Sequence, residues 1–201
     1  QWPGRVVALH VHHGLQVAAD TFVAQARATC EAWGIPLHLR YVNAACAPGE
    51  SPEDAARKAR YRALADMALT TRATGVLLGQ HADDQVETVM IALSRGTGLP
   101  GLSAMGEGFT RLGVFFGRPF LGLAMQVLRD DLLRQGQTHI EDPSNADQRF
   151  TRNRVRSRLL PAWSDTFPGY MEAIARTARH SAQAQTLLND LAEIDLVAIG
   201  R

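Results

Sequence analysis

Gly75-Val76-Leu77-Leu78-Gly79-Gln80-His81-Ala82-Asp83-Asp84-Gln85-Val86-Glu87-Thr88 decides the reading of this chain. Its apolar start, entered through Gly75, reads as a buried strand of a parallel sheet. The polar cluster behind it then lies where that strand ends and a helix begins, the edge at which open α/β sheets bind ligands. Asp84 and Glu87 are three residues apart, so on a helix they share a face. Helix capping by Asp83, with Asp84 and Glu87 as first-turn acids, accounts for part of the pattern. It does not account for the histidine or for so many acids together, which call for a cation.

Working outward, the chain alternates strand and helix. Arg5 to Val11 reads as a strand running into His12-His13-Gly14, and Val17 to Trp33 as a helix stopped by Gly34-Ile35-Pro36. Leu37 to Val42 is a second strand. Ser51 and Pro52 open a long helix reaching about Thr74, with Ser51 as N-cap and Pro52 at the first helical position. Such alternation predicts an α/β fold with a doubly wound, mostly parallel sheet, followed by a helical segment. After Arg95 come a glycine-rich loop (96–102), strand-like runs between Phe109 and Leu121, and a helix over Gly122 to Gln135. Helices over Arg152 to Trp163 and Phe167 to Ala198 complete the chain. The apolar stripe of the last helix is interrupted at Gln185. A boundary is placed near residue 160, giving a domain of 1–160 and a helical linker or start of a second domain over 161–201.

Composition narrows the function classes. The chain has 201 residues, of which 46% are hydrophobic, and no apolar window long enough for a membrane span. Two cysteines, Cys30 and Cys46, make neither a disulfide framework nor a CxxC site, so a cytoplasmic protein is expected. Net charge is +1, yet from Gln148 to Trp163 there are five arginines and no acid, a surface suited to phosphate. On the helix after Ser51, Arg57 and Tyr61 stand at i and i+4 with Arg60 beside them, and Arg118 precedes an apolar run. Both arrangements suit either anion binding or an ordinary solvated face. His10, His12 and His13 invite a metal reading, but alternation sends His13 to the opposite face, and no metal site is expected.

Six segments in order resemble the tRNA(Ile)-lysidine synthetase family of PP-loop ATP pyrophosphatases. They are His10-Val11-His12-His13-Gly14-Leu15, Ala56-Arg57-x-x-Arg60-Tyr61, Gly79-x-His81-x-Asp83-Asp84-x-x-Glu87-Thr88, Arg95-Gly96-x-Gly98-Leu99-x-Gly101-Leu102, Arg118-Pro119-Phe120-Leu121 and Glu141-Asp142-Pro143-Ser144-Asn145. Phe150-x-Arg152-Asn153-x-x-Arg156 continues the match, which covers roughly 6–165. The resemblance implies adenylation by ATP of the C2 carbonyl oxygen of the wobble cytidine in an isoleucine tRNA with a CAU anticodon. Free L-lysine then displaces AMP to give lysidine. It implies that Asp84 and Glu87 hold the lysine ammonium groups and that Arg57 meets its carboxylate or the phosphates. His13, His81 and Asp83 would lie near ATP or the target base. Arg60, Arg118, Arg152 and Arg156 would contact the tRNA or its adenylate. ATP chemistry implies Mg²⁺, whose ligands the sequence does not identify.

One departure stands out. The family's Ser-Gly-Gly-x-Asp-Ser phosphate loop is absent, so the natural protein is expected to be longer and this chain alone inactive. Three alternatives are a tRNA cytidine thiolase, a small-molecule amidating enzyme and a non-catalytic RNA-binding module. Sequence leaves a homodimer open.

Overall fold

The computed structural model describes residues 5–12, 19–43 and 52–200. His13, Gly14, Cys46 and the expected N-cap Ser51 lie outside them. The chain divides into two compact units. The first comprises Gln1–Leu77, Gly108–Gly117 and His139–Pro143; the second comprises Leu78–Glu107, Arg118–Thr138 and Ser144–Arg201. Residue 160 falls inside the second.

The first unit holds the described strands. β1 (Ala8–His12), α1 (Ala19–Trp33) and β2 (Leu37–Tyr41) form a βαβ unit in which Ala8 pairs with Leu37 and His12 with Tyr41, in parallel. The long helix α2 (Pro52–Thr70) follows. β3 (Val76–Leu77) pairs in parallel with β5 (Val114–Gly117), which pairs antiparallel with β4 (Gly108–Arg111). Two of these three pairings are parallel, as expected. Among the described residues, however, the strands form two hydrogen-bonded groups, β1-β2 and β3-β5-β4.

The expected strand over Gly75 to Gly79 is shorter, and only half of it is buried. Val76 points into the core at 6% exposure, whereas Leu77 is 74% exposed. Alternation of a two-residue strand in a sheet covered on one face requires this split. Phe116 and Val114 alternate inward with Val76, while Phe115 turns outward with Leu77. Helix α2 packs against β1, β3 and β5, burying Tyr61, Leu64, Met67 and Ala68. A Cβ at Gly75 would stand 3.1 Å from the Phe115 ring and 3.3 Å from the Phe115 carbonyl oxygen, so a side chain there would press on β5 by a few tenths of an ångström.

Leu112 and Gly113 form the two-residue turn between β4 and β5, with φ of 52° and 75°. Positive φ at both positions is the geometry that favours Asn-Gly, and leucine there is strained. Leu112→Asn is expected to stabilise the protein by about 1 kcal/mol and to raise the thermal midpoint by about 2–4 °C. An unchanged or lower midpoint would show that the turn carries no such strain.

The second unit is helical: α3 (Ala82–Ser94), the short α4 (Leu99–Leu102), α5 (Met125–Arg134), α6 (Thr151–Arg154), α7 (Leu160–Thr166) and α8 (Tyr170–Ala198). Its core is Val86, Met90 and Leu160, packed against Val155, Trp163, Tyr170, Met171 and Ile174. The expected helix over Arg152 to Trp163 is present but widens into a π-helical turn at Val155–Leu159. Pro161 offers no amide to the Ser157 carbonyl, and a wider turn relieves the clash of its ring with the preceding turn. α8 packs on α3 and α4. Beyond Ser181 its apolar residues face solvent, Leu187 at 69% and Ile194 at 64%. No described helix is long and apolar enough to cross a membrane.

Candidate active site at the start of helix α3

His81, not Asp83, is the N-cap of α3. Its backbone N–H donates to Asp84 Oδ2 at 3.1 Å, the return half of a capping box. Asp83 is used elsewhere: its Oδ2 accepts the Met125 N–H at 2.8 Å and so ties the start of α5 to α3. Both imidazole nitrogens are close to acids, Nδ1 at 3.3 Å from Asp83 Oδ2 and Nε2 at 3.4 Å from Asp84 Oδ2.

These neighbours set the titration of the cluster. The Asp83 carboxylate, with help from Asp84 and Glu87 and against the cost of burial, raises His81 above the ordinary 6.5. In return, His81 and then the Met125 amide hold Asp83 below the usual carboxylate range. In the first unit, burial and then His12 push His10 the other way. His81 is therefore expected to titrate above 6.5 and His10 below it, read from imidazole proton shifts. A folded-state value above the unfolded one means that His81 adds stability fully present below about 6.5. That stability is lost as pH rises through the folded value. His81 titrating below His10 would contradict the arrangement.

Glu87 lies one turn further along α3 with its side chain 0% exposed. Arg156 Nε donates to its Oε1 at 2.6 Å, and a second guanidinium nitrogen, Nη1, donates to Asn145 Oδ1 at 3.3 Å. Burial pushes the Glu87 carboxyl up, opposed by Arg156 and Arg152. The pairing raises Arg156 further. Arg152 Nη1 stands 3.7 Å from Asp84 Oδ1 and its Nε 3.7 Å from Glu87 Oε2. Its Nη2 donates to Thr88 Oγ1 at 3.3 Å. The π-helical turn begins between the two arginines. More than 3.6 residues per turn bring positions four apart closer to one line.

The cation that the acids require is thus supplied by the chain itself. Three carboxylates (Asp83, Asp84, Glu87) face two guanidinium groups. The balance of one negative charge suits a protonated His81 or a bound ammonium. Among the described residues no group of three or more His, Cys, Asp or Glu has the disposition to hold a metal ion.

The other expected site residues have partners of their own. Arg118 clasps its own loop, donating to Gln80 Oε1 at 3.2 Å and to the Gly106 carbonyl at 2.6 Å. Arg57 is on the exposed side of α2, bonded to Asp54 Oδ1 at 2.7 Å. Arg57 and then Lys58 lower the Asp54 carboxyl to about 2. Arg60 is exposed on the same helix. Tyr61, expected on one face with Arg57, is buried against Phe116 and Phe109, and Arg111 lies 4.9 Å over its ring.

Sequence reasoning passed over two polar residues. Gln85, 6% exposed, donates to the Met105 carbonyl at 2.9 Å and accepts the Met105 N–H at 3.0 Å. Asn153, 7% exposed, donates to the Ser144 and Asp147 carbonyls at 2.7 and 2.9 Å and shapes the turn that carries Asn145. An amide placed among apolar helix positions is the signal for Gln85, whereas the arginine-rich run around Asn153 gives none.

The chain is similar to proteins of known family. A tRNA(Ile)-lysidine synthase from Polaromonas naphthalenivorans is 55% identical over 200 residues, covering 100% of this chain and 61% of that protein. One from Burkholderia mallei is 46% identical, covering 98% of this chain and 41% of that protein. The chain therefore spans only part of the length of these relatives. The U34-tRNA thiolase NcsA from Methanococcus maripaludis superposes with a TM-score of 0.68 at 16% identity, over 87% of this chain and 61% of that one, a likeness of fold. A model of the PP-loop domain matches residues 2–163, and the chain belongs to that family.

Proposed function

We propose that this chain is the part of a tRNA(Ile)-lysidine synthase that holds the amine substrate and the target nucleotide. The observation that carries the reading is the buried Glu87 beside Asp84, matched by arginines from the Phe150–Arg156 segment. Relatives of that name cover the whole chain. Asp84 and Glu87 receive the lysine ammonium. Arg152 and Arg156 flank it with forked donors suited to the adenylate or the RNA backbone. In the first unit, Arg57 and Arg60 present exposed guanidinium groups suited to RNA phosphate. Arg118 ties down Gly106 and Gln80, and Asp83 and His81 fix the start of α3.

The reaction asks chiefly for positioning. ATP adenylates O2 of the unpaired wobble cytidine and releases pyrophosphate. The lysine amine attacks C2, the C2–O bond breaks with loss of AMP, and the ammonium proton departs to a base. Asp84, the less buried of the two acids, is placed to take that proton. An unpaired anticodon base can be splayed out and read directly. Such work belongs in the cytoplasm. The described residues offer no cage for Mg²⁺, and no step is assigned to one. The thiolase reading lacks support in a sequence with two cysteines.

Pyrophosphate release tests the order of events. The intact protein with isoleucine tRNA bearing CAU is expected to release pyrophosphate without lysine and to release AMP only when lysine is added. Lysine-independent AMP release at the same rate would contradict the proposal.

A further inference from the structure

Arg152 and Arg156 stand four residues apart, yet they hold their carboxylates in unlike ways. Arg156 makes a 2.6 Å charge-assisted hydrogen bond to Glu87 Oε1 and a second bond to Asn145. Arg152 approaches Asp84 Oδ1 and Glu87 Oε2 at 3.7 Å each, too far for a hydrogen bond to either. Glu87 Oε2 is buried and accepts no hydrogen bond. A buried carboxylate oxygen without a donor is costly, and a guanidinium at that distance offers charge without the bond. Both long approaches converge on one spot, between two acids a helical turn apart. Arg152 is already 36% exposed, and among the described residues its hydrogen bond is to Thr88 Oγ1 at 3.3 Å.

We propose that Arg152 sets the specificity of this site by holding the place of a primary ammonium between Asp84 and Glu87. The inference rests on the reading of those acids as the amine-binding pair. A compact ammonium with three donors reaches both carboxylates, including Glu87 Oε2, where the planar guanidinium stops short. Its arrival makes hydrogen bonds that Arg152 does not make, and Arg152 turns outward, free for an anionic group of the second substrate. Arg156 stays, since its bond to Glu87 Oε1 does not compete. Free arginine carries the same head group as Arg152 and gains nothing by exchange, so the place-holder also rejects it. Without Arg152 the acids would stand uncompensated and would take up stray cations.

Calorimetric titration of the intact protein with lysine tests this, using Arg152→Ala, Arg152→Lys and Glu87→Gln. Removing a competitor raises apparent affinity by the reciprocal of the fraction of sites it had left open, so with about one site in five open Arg152→Ala is expected to bind lysine about fivefold tighter. Arg152→Lys, which tethers an ammonium beside the acids, is expected to bind lysine more weakly than the parent and decides the matter if the alanine variant does not fold. In the parent protein, lysine should shift the Arg152 Nε–Hε resonance and leave that of Arg156 in place. Weaker or unchanged binding in Arg152→Ala, with loss in Glu87→Gln, overturns the place-holder and leaves the amine site standing. A parent protein that binds no lysine, or binds it equally well as Glu87→Gln, overturns the amine site and the place-holder with it.

Discussion

Glu87→Leu is expected to destabilise the protein by about 2–4 kcal/mol and to abolish lysine transfer. The cost arises because Arg156 loses its 2.6 Å partner and is left partly desolvated beside Asp84 and the apolar residues of α3. Arg156 remains 31% exposed, so solvent relieves part of the penalty and brings the cost below the usual range of about 3–5 kcal/mol. The double variant Glu87→Leu/Arg156→Met removes both charges and is expected to recover most of the lost stability. Activity does not return with it, because the ammonium has lost its acceptor. Denaturant unfolding of the single and double variants gives the coupling. A double variant no more stable than Glu87→Leu would mean that the pair contributes no mutual stabilisation.

Gln85→Leu ranks second, with an expected loss of about 2–3 kcal/mol. Its side-chain amide both donates to and accepts from the Met105 backbone, at 2.9 and 3.0 Å. Leucine fills the space and leaves both Met105 groups without partners. The loop that Gln85 holds leads through Gly106, the acceptor of Arg118. The same change should therefore speed amide exchange from Met105 to Glu107. Exchange confined to α3 would place the function of Gln85 elsewhere.

The acid cluster was legible because its information is local. Asp84 and Glu87 follow a short apolar strand and share a helix face, and both relations are fixed by spacing alone. Their partners were not legible as partners. Arg156 is separated from Glu87 by 69 residues, and its charge reads from sequence as an RNA-facing surface. Burial of Glu87 depends on α6 and the π-helical turn folding over α3, and Pro161 gives only a faint sign of that turn. Arg57 and Tyr61 show a limit of spacing. Positions i and i+4 share a stripe, but the sheet takes the aromatic ring and leaves the cation to solvent. In α8 the interruption at Gln185 falls near the change from packed to exposed, because α3 and α4 cover only its first half.

We propose that the pocket of Asp84, Glu87, Arg152 and Arg156 serves lysine transfer to one tRNA. Incorporation of labelled lysine by the intact protein, compared between isoleucine tRNA bearing CAU and elongator methionine tRNA, tests it most directly. The account predicts ATP-dependent label in the isoleucine tRNA alone and none with Glu87→Gln. Equal labelling of both tRNAs, or full labelling with Glu87→Gln, would contradict it.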